Sequence, residues 1–415
     1  MKILLIHQYY LEKNDGGGSR WNEMSKVWAE QGHQVTVLSG MSHYASGKKN
    51  ERYKGKYFND ENDFEKGIRV IRSHVSEAYN VNFLGRLWGY FSFVFSSIWA
   101  GIFYAREKYD FILVTSPPLF VGVTAYVLSR LKRIPFIFEI RDLWPESAID
   151  TGVVTNRLII KMAYVFEAFI YKRAALINVL TPAFRKALIE KKKVSPGKII
   201  FIPNAADFSL VKDLMPDFDA KTFRKQHDIG ADIFVIIYVG AHGVANHLIH
   251  AVETAELLKE MHVLFLMIGE GMEKKMLQHE VKKRELTNIR FIDAVPKKEV
   301  FKYILASDMG ASILKNVDTF KTVYSNKTFD YMSCKKPIFM AIDGVSRELV
   351  EEADAGIFVE PENATDFANK VKMYMQNPAL IQRQGVNGYQ YAMEHFDRTV
   401  LANMYLEQTK KIMKA

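Results

Sequence analysis

Short apolar runs alternate with amphipathic helical segments along the chain, and this pattern begins twice. The first run, Lys2–Ile6, is followed by a glycine-rich loop, an amphipathic segment at 19–31 and a second apolar run at 34–38. A strand, a helix and a strand in this order predict a βαβ unit with parallel strands. The pattern starts again at Phe234–Val239. The sequence therefore predicts α/β architecture built twice along the chain.

The length supports the same division. A single hydrophobic core seldom grows to 415 residues, so two domains of similar size are expected. We place the first domain at 1–203, the second at 204–395 and a final helix at 396–415. The only cysteine, Cys334, excludes a disulfide framework and a cysteine-based zinc site, and it suits a reducing compartment. The opening run, MKILLIHQYY, is too short and too strand-like for a signal peptide.

The net charge of +9 limits the classes of partner. Basic runs lie at 48–56, at 185–198 and at the C-terminal end. No recognition helix, RNA-binding motif or zinc finger accompanies these runs, so we predict no nucleic-acid partner. Phosphorylated substrates and an anionic membrane surface both suit the charge, and so does a plain solvated basic face.

A glycine-rich loop, Gly16-Gly17-Gly18, precedes the first predicted helix. It is not a dinucleotide fingerprint, because the G-x-G-x-x-G spacing is absent and the second strand ends in Ser39-Gly40 without an acidic residue. Glycines let backbone N–H groups approach a ligand closely, so Gly17 and Gly18 are candidate ligand contacts. A flexible turn is an equally good interpretation.

Charged residues follow the apolar run at 135–140. Positions just beyond the carboxyl end of a parallel strand lie in the ligand crevice of an open α/β sheet. Arg141 stays protonated and can only orient groups or stabilise negative charge. Asp142 and Glu146 are therefore the candidates for general acid or base chemistry on a bound ligand. The alternative is an ion pair of Arg141 with either carboxylate that holds the loop.

The segment 322–341 combines a polar loop, a short helix and an apolar strand. Lys327, at the start of the helix, is placed to meet a diphosphate, because helix N-termini attract phosphate. Asp330 is one turn further on and could accept hydrogen bonds from both hydroxyls of a ribose. A capped surface helix with a solvated Asp330 is the alternative.

An uncharged segment at 87–105 is long enough to be a candidate membrane span. Two observations argue against a span. The segment contains serines and glycines, and the predicted strands before and after it belong to one sheet, which a single crossing would place on opposite sides of the bilayer. At helical spacing one stripe is apolar and mostly aromatic (Trp88, Phe91, Phe95, Trp99, Ile102), and another consists of small residues (Gly89, Ser92, Ser96, Ala100). We favour burial of the aromatic stripe in the core over contact with a membrane interface.

Two runs, FEIRDLWPES and SNKTFDYMSCKKPIF, resemble segments of retaining glycosyltransferases of family 4, which have the GT-B fold. The resemblance implies two Rossmann-like domains facing a cleft and a C-terminal helix that crosses back to the N-terminal domain. It also implies acceptor binding by the first domain and nucleotide-sugar binding by the second. Three positions depart from the family pattern: Asp330 replaces the usual Glu, Thr322 replaces a frequent Glu, and Arg141 replaces a frequent His.

The resemblance adds further donor-binding candidates. Asn204 lies in a run similar to the family's interdomain hinge, and Gly269 lies in a turn that faces the nucleotide base. Gly240, His242 and Gly243 lie in the loop expected at the diphosphate, which here lacks the family's Arg and Lys. Lys327, with help from Lys321, would supply that charge, and His242 is equally well an incidental loop residue. We predict no cofactor and no metal, since Asp217-Phe218-Asp219 has no strand before it.

The expected activity is that of a retaining glycosyltransferase of the hexosyltransferase type (EC 2.4). The donor would be a nucleotide diphosphate-sugar, with UDP as the first choice. The acceptor would be a polyprenyl-diphosphate-linked or polysaccharide precursor for capsule or O-antigen. The protein would then be cytoplasmic and peripheral on the inner face of the cell membrane. Two alternatives are a non-hydrolysing nucleotide-sugar epimerase and a non-catalytic, membrane-associated assembly subunit.

Overall fold

The computed structural model describes residues 1–12, 20–42, 49–80, 83–150 and 154–413. The described chain divides into two compact units. The first unit takes the residues up to Pro203 together with those from Thr399 onward, and the second takes Asn204–Arg398. Each unit is an α/β layered structure around a mainly parallel sheet. The α/β architecture predicted from the repeated strand and helix pattern is therefore confirmed.

The first unit is built from eight strands and six helices among the described residues, and a last helix, α16 (Arg398–Met413), joins it from the end of the chain. In chain order they are β1 (Lys2–Ile6), α1 (Arg20–Glu30), β2 (Gln34–Gly40), β3 (Phe58–Glu65), β4 (Ile68–Ser73), α2 (Phe83–Phe103), β5 (Phe111–Thr115), α3 (Val121–Lys132), β6 (Phe136–Ile140), α4 (Glu146–Asp150), α5 (Arg157–Arg173), β7 (Leu176–Val179), α6 (Pro182–Glu190) and β8 (Ile199–Phe201).

The sheet of the first unit has the order β3-β4-β2-β1-β5-β6-β7-β8. Strand β1 is central, since Ile3 pairs in parallel with Val35 of β2 and with Phe111 of β5. Strand β3 pairs antiparallel with β4. Strand β3, FNDENDFE, is a polar and acidic segment. Cross-strand pairing with the apolar strand β4 stabilises this polar segment as a sheet edge.

Helices α2, α3 and α5 lie side by side, with α3 in the middle. Ser97 of α2 and Thr124 of α3 are hydrogen-bonded at 2.9 Å. A side chain at Gly101 would come within 2.4 Å of Leu128, so this close approach requires glycine. On the other side of α3, the rings of Tyr126 and Phe169 meet with centroids 5.1 Å apart. The small-residue stripe of α2 is therefore its packing face.

The aromatic stripe of α2 consequently faces outward. Trp88, Phe95 and Trp99 are each more than half exposed. The prediction that this stripe is buried in the core is wrong, because the small residues on the opposite side of the helix already fill the contact with α3. Within the described residues, no helix combines the length and the apolar character needed to cross a bilayer.

The last helix, α16 (Arg398–Met413), packs in the first unit against α1. The indole Nε1 of Trp28 donates to the carbonyl of Ala402 at 2.9 Å. The Tyr405 ring meets the rings of Trp21 and Trp28 edge-on. These buried aromatic contacts hold the end of the chain on the first unit.

A buried ion pair lies beneath these helices. Arg20 donates to Glu139 of β6 at 3.1 Å, and also to the carbonyls of Ile202 and Pro203. Glu139 accepts a further hydrogen bond from Asn178 at 2.9 Å. A buried charge pair is tolerated when further hydrogen bonds surround it, as they do here for every described polar atom of Arg20 except its buried Nε. The network fixes the chain at the end of the first unit.

The second unit contains the remaining elements. They are α7 (Phe208–Leu214), α8 (Ala220–Gln226), β9 (Phe234–Val239), α9 (Ile249–Leu257), β10 (Val263–Ile268), α10 (Lys274–Lys283), β11 (Ile289–Ile292), α11 (Lys297–Ala306), β12 (Met309–Ile313), α12 (Asn326–Ser333), β13 (Ile338–Ala341), α13 (Val345–Glu352), β14 (Gly356–Phe358), α14 (Ala364–Met375) and α15 (Pro378–His395). Its parallel sheet has the order β11-β10-β9-β12-β13-β14.

Candidate active site

Two loops at the carboxyl ends of β9 and β10 pack backbone against backbone. A Cβ at Gly269 would lie 1.9 Å from the carbonyl oxygen of Gly240, and a Cβ at Gly271 would lie 2.2 Å from that of His242. Gly240 and Gly269 also have positive φ angles, which favour glycine. The two glycine turns therefore form one rigid edge. Gly243 has no such requirement, since a Cβ there would meet only Asn246 at 3.7 Å.

Lys327 projects from the first turn of α12 to this edge. A Cβ at Gly240 would lie 3.4 Å from its Cε and 3.7 Å from its Nζ. The Nζ lies 4.6 Å from the ring centroid of Tyr238, and no carboxylate is within ion-pair distance in the described chain. Burial lowers the pKa of the Lys327 ammonium to about 8, while Asp330 opposes that decrease. A half-buried cation without an anionic partner is suited to an anionic ligand.

Helix α12 is held in place from beneath by Tyr331. Its hydroxyl oxygen accepts from the backbone N–H of Val239 at 3.1 Å, and the hydroxyl lies 3.2 Å from the carbonyls of Ile237 and Ala311. A side chain at Gly310 would overlap the Tyr331 ring at 2.3 Å. These contacts tie the C-terminal half of α12 to β9 and β12. The sequence analysis did not single out Tyr331, although a tyrosine beside Asp330 on the buried side of a short helix is a usable signal.

The other candidates at α12 lie nearby. Asn204 donates to the side-chain oxygen of Asn326, the first residue of the helix. Asp330 is half-buried on the side of α12 opposite Phe329 and Tyr331. Lys321 forms an exposed ion pair with Asp318 at 2.9 Å, so its predicted help with the diphosphate is not favoured.

His242 is fully buried between the two glycine turns. Neither ring nitrogen has a hydrogen-bond partner among the described residues. Burial, with a contribution from Lys274, lowers the pKa of His242 to about 4, so the imidazole is neutral near pH 7. Buried polar atoms without partners are rare, and a neutral imidazole can donate with one nitrogen and accept with the other.

In the first unit the loop after β6 holds the predicted acid and base groups. Burial raises the pKa of Asp142, and its carboxylate accepts from Ser147 at 2.7 Å. Glu146 is paired with Lys192 at 2.9 Å, and the same ammonium reaches Glu167 at 2.6 Å. The predicted ion-pair alternative for Glu146 therefore exists with a different partner. Asp142 is the better placed of the two carboxylates for proton transfer.

His7, which the sequence analysis missed, lies at the carboxyl end of β1. It is buried, and its Nδ1 has no hydrogen-bond partner in the part of the chain that the structure describes. Burial, then the charges of Arg141 and Arg72, hold the pKa of His7 well below its usual range. A neutral imidazole therefore lies near Arg141 at the strand edge. Its position directly after a buried strand was the available signal.

Gly17 and Gly18 lie outside the described residues, so the structure gives no position for them. Asp219, from the segment weighed as a metal motif, caps α8 by accepting from the backbone N–H groups of Lys221 and Thr222. Among the described residues no group of three or more metal-ligating side chains gathers.

Comparisons with known proteins agree with this geometry. Residues 15–205 match the family model of the glycosyl transferase 4-like domain, and residues 219–391 match that of the glycosyl transferases group 1. A protein of Escherichia coli strain K12, named as a candidate colanic acid biosynthesis glycosyl transferase, WcaI, is 27% identical over 306 residues, which cover 71% of this chain and 74% of that protein.

Solved structures share the fold over the whole chain. Sucrose-phosphate synthase from Thermosynechococcus elongatus has a TM-score of 0.73 at 16% identity, covering 100% of this chain and 99% of that chain. Anabaena HepE in complex with UDP-glucose has a TM-score of 0.72 at 17% identity, covering 99% of this chain and 100% of that chain.

The fold and the paired family models define a glycosyltransferase of the GT-B class. More particularly, the chain belongs to glycosyltransferase family 4. The predicted family and enzyme class are thus confirmed, and the epimerase and the non-catalytic subunit lose their support.

Proposed function

We propose that the protein transfers a sugar, with retention of anomeric configuration, from a UDP-sugar to a lipid-linked polysaccharide precursor. Lys327 carries the donor half of this proposal. An unpaired ammonium beside Gly240, at the start of α12, supplies positive charge where negative charge would grow on a departing nucleoside diphosphate. Positive charge placed in advance at a leaving group stabilises the transition state.

The same proposal assigns roles to the other candidate residues. The second unit binds the donor, with Asp330 at the ribose, His242 and Gly269 facing the sugar-nucleotide, and Asn204 beside the start of α12. The first unit binds the acceptor, with Arg141 orienting it and Asp142 near the hydroxyl that attacks. The leaving phosphate takes part in accepting the hydroxyl proton, as the resemblance to retaining glycosyltransferases implies. The reaction takes place at the cytoplasmic face of the cell membrane.

Support for UDP comes from a similar protein, since HepE has been solved in complex with UDP-glucose. Thermal unfolding with UDP, GDP, ADP and dTDP tests the choice of base. A ligand at about one hundred times its Kd stabilises the folded state by roughly 2.7 kcal/mol. We expect UDP alone to give this shift and Asp330→Ala to lose most of it. A shift with a different nucleotide would reassign the donor, and no shift with any of the four would refute the donor site.

Retention and the acceptor class need product analysis. The donor that UDP binding selects would be incubated with a polyprenyl-diphosphate-linked saccharide, and the anomeric configuration of the product would be read by NMR. An inverted product, or transfer that ignores the lipid, would contradict the proposal.

A further inference from the structure

The layer formed by α2, α3 and α5 presents apolar side chains to solvent. On α2 these are Trp88, Phe95 and Trp99, and on α5 they are Leu158, Met162 and Val165; we refer to the six as the apolar face. Phe95 is 63% exposed, Met162 64% and Val165 65%. Large apolar side chains grouped in this way on neighbouring helices mark an interaction surface, whereas isolated ones do not.

Helix α5 shows that this exposure is directional. Its buried residues are Ala163, Glu167, Ile170 and Tyr171, so the helix turns its single carboxylate inward and its apolar stripe outward. Glu167 is neutralised there by Lys192 at 2.6 Å. An ordinary surface helix has the opposite arrangement, with the apolar stripe inside. From periodicity alone, the apolar stripe of α5 would be expected to face the core, whereas in the structure it faces solvent.

The exposed charges on the three helices themselves are basic. Helices α2, α3 and α5 contain one acidic residue in sequence, Glu167, and it is buried. Exposed basic residues remain on the layer, among them Arg130 on α3 and Arg157 and Lys161 on α5. Exposed acidic residues lie on neighbouring segments, with Glu77 before α2 and Asp150 near Tyr164 of α5. On the helices themselves, an apolar stripe accompanied by cations is the pattern of a helix that lies in the interface of an anionic bilayer.

We propose that the apolar face docks on an anionic lipid bilayer, with α2 and α5 lying along the interface. This inference rests on the proposed function, because it assigns the surface through which the enzyme reaches a membrane-embedded acceptor. A second copy of the chain is a poorer occupant, since contact between two such faces would bring basic residues together and offer no exposed carboxylate on these helices to pair with them.

The apolar face continues to the candidate acceptor residues. Phe120, which precedes α3, contacts Phe91 of α2 at 4.9 Å between ring centroids and Phe166 of α5 at 5.6 Å. Its ring also meets Trp144 at 5.8 Å. Trp144 belongs to the loop that carries Arg141 and Asp142. A lipid-linked acceptor can thus keep its hydrocarbon against aromatic rings while its polar end is near Arg141.

The test is co-sedimentation of the full chain with vesicles of phosphatidylethanolamine and phosphatidylglycerol, compared with phosphatidylcholine alone. The wild type should bind the anionic vesicles only. Two variants remove apolar area from one helix each, Phe95→Ser with Trp99→Ser and Met162→Ser with Val165→Ser. Each should weaken binding at least tenfold. A matched control, Leu257→Ser with Met393→Ser, removes exposed apolar residues from the second unit and should bind as the wild type does.

Charge is tested separately. Each basic residue at an anionic surface contributes about fivefold in affinity, so Arg157→Gln with Lys161→Gln should weaken binding roughly 25-fold. Vesicle binding that is unchanged in both double-serine variants would overturn the proposal. It would also be overturned if the wild type bound no vesicles and formed a dimer that the serine variants lose. The vesicle assay contains no nucleotide, so its result does not depend on donor binding. Likewise, absence of a UDP-induced shift in thermal unfolding would not affect the result with vesicles.

Discussion

Lys327 allows a prediction in which stability and function change in opposite directions. Holding its ammonium half-buried without an anionic partner costs free energy in the unliganded protein, as the lowering of its pKa from 10.5 to about 8 indicates. Lys327→Met removes the charge and keeps most of the volume. We expect the variant to be more stable than the wild type and to bind UDP more weakly.

The magnitude follows from the pKa. One pKa unit corresponds to about 1.36 kcal/mol, so the full lowering corresponds to about 3.4 kcal/mol. Solvent reaches part of the side chain and screens the charge, which reduces the expected gain in the free energy of unfolding to roughly 1–2 kcal/mol. A charge-assisted hydrogen bond to phosphate contributes about 1.5–3 kcal/mol, so UDP affinity should fall by roughly 10- to 150-fold.

The pH dependence has a definite sign. Below about pH 8 the ammonium is charged in both the folded and the unfolded chain, and the cost of burial is fully present. Between pH 8 and 10.5 the unfolded chain binds more protons at this group, so this contribution to the free energy of unfolding rises with pH. The rise should be absent in Lys327→Met and reduced when UDP is bound, because the diphosphate favours the charged form.

The assay is urea unfolding of the wild type and Lys327→Met from pH 7 to 10, with and without UDP, alongside calorimetric titration of UDP. The difference between the two proteins cancels the titration of other groups. Lys327→Gln, which keeps polarity without charge, is the control for lost hydrogen bonding. A variant that is less stable and binds UDP normally would refute the reasoning and make Lys327 a structural partner of Tyr238.

Three further predictions concern other parts of the site. Asp142→Asn should lower the rate of transfer by about 10²- to 10⁴-fold while the UDP-induced shift in melting temperature is unchanged, as initial rates and melting curves would show. Gly269→Ala should destabilise the second unit and abolish the UDP shift, because its Cβ would lie 1.9 Å from the Gly240 oxygen; normal melting would contradict this. Lys192→Met should lower the free energy of unfolding by about 3–5 kcal/mol at pH 8 and by less at pH 5, where Glu167, with a pKa of about 7, is protonated; equal losses at both pH values would count against it.

The topology was largely readable from the sequence, because the carboxyl ends of parallel strands meet along one edge of a sheet. That rule placed Arg141 and Asp142 after β6 and Gly240 after β9. The resemblance to family 4, rather than this rule, assigned Lys327 and the glycine loop to the same diphosphate. The structure places the Cβ position of Gly240 3.4 Å from the Lys327 Cε, across 87 positions of sequence.

Other contacts had no local signal. The pair Arg20 and Glu139 joins residues 119 positions apart, and neither residue differs in sequence context from an exposed charge. His7 lies at a strand end like many others, and only the fold shows that it is buried near Arg141. Periodicity separated the aromatic stripe of α2 from the small-residue stripe correctly. It did not show that the small residues face the core and the aromatic residues face solvent. Which stripe faces inward depends on the partner helix, and Leu128 leaves room only for glycine at Gly101.

The buried Glu167 side chain links the apolar face to the loop that carries Arg141 and Asp142. Had this carboxylate faced solvent, α5 would carry an acidic residue on its outer side and repel an anionic bilayer. Lys192 draws it inward and, with the same ammonium, holds Glu146 at 2.9 Å. One buried ion-pair cluster therefore both keeps acidic charge off the apolar face and anchors the loop of Arg141 and Asp142. Glu167→Gln should then disturb the loop through Lys192, whereas Met162→Ser changes only the outer side of the same helix.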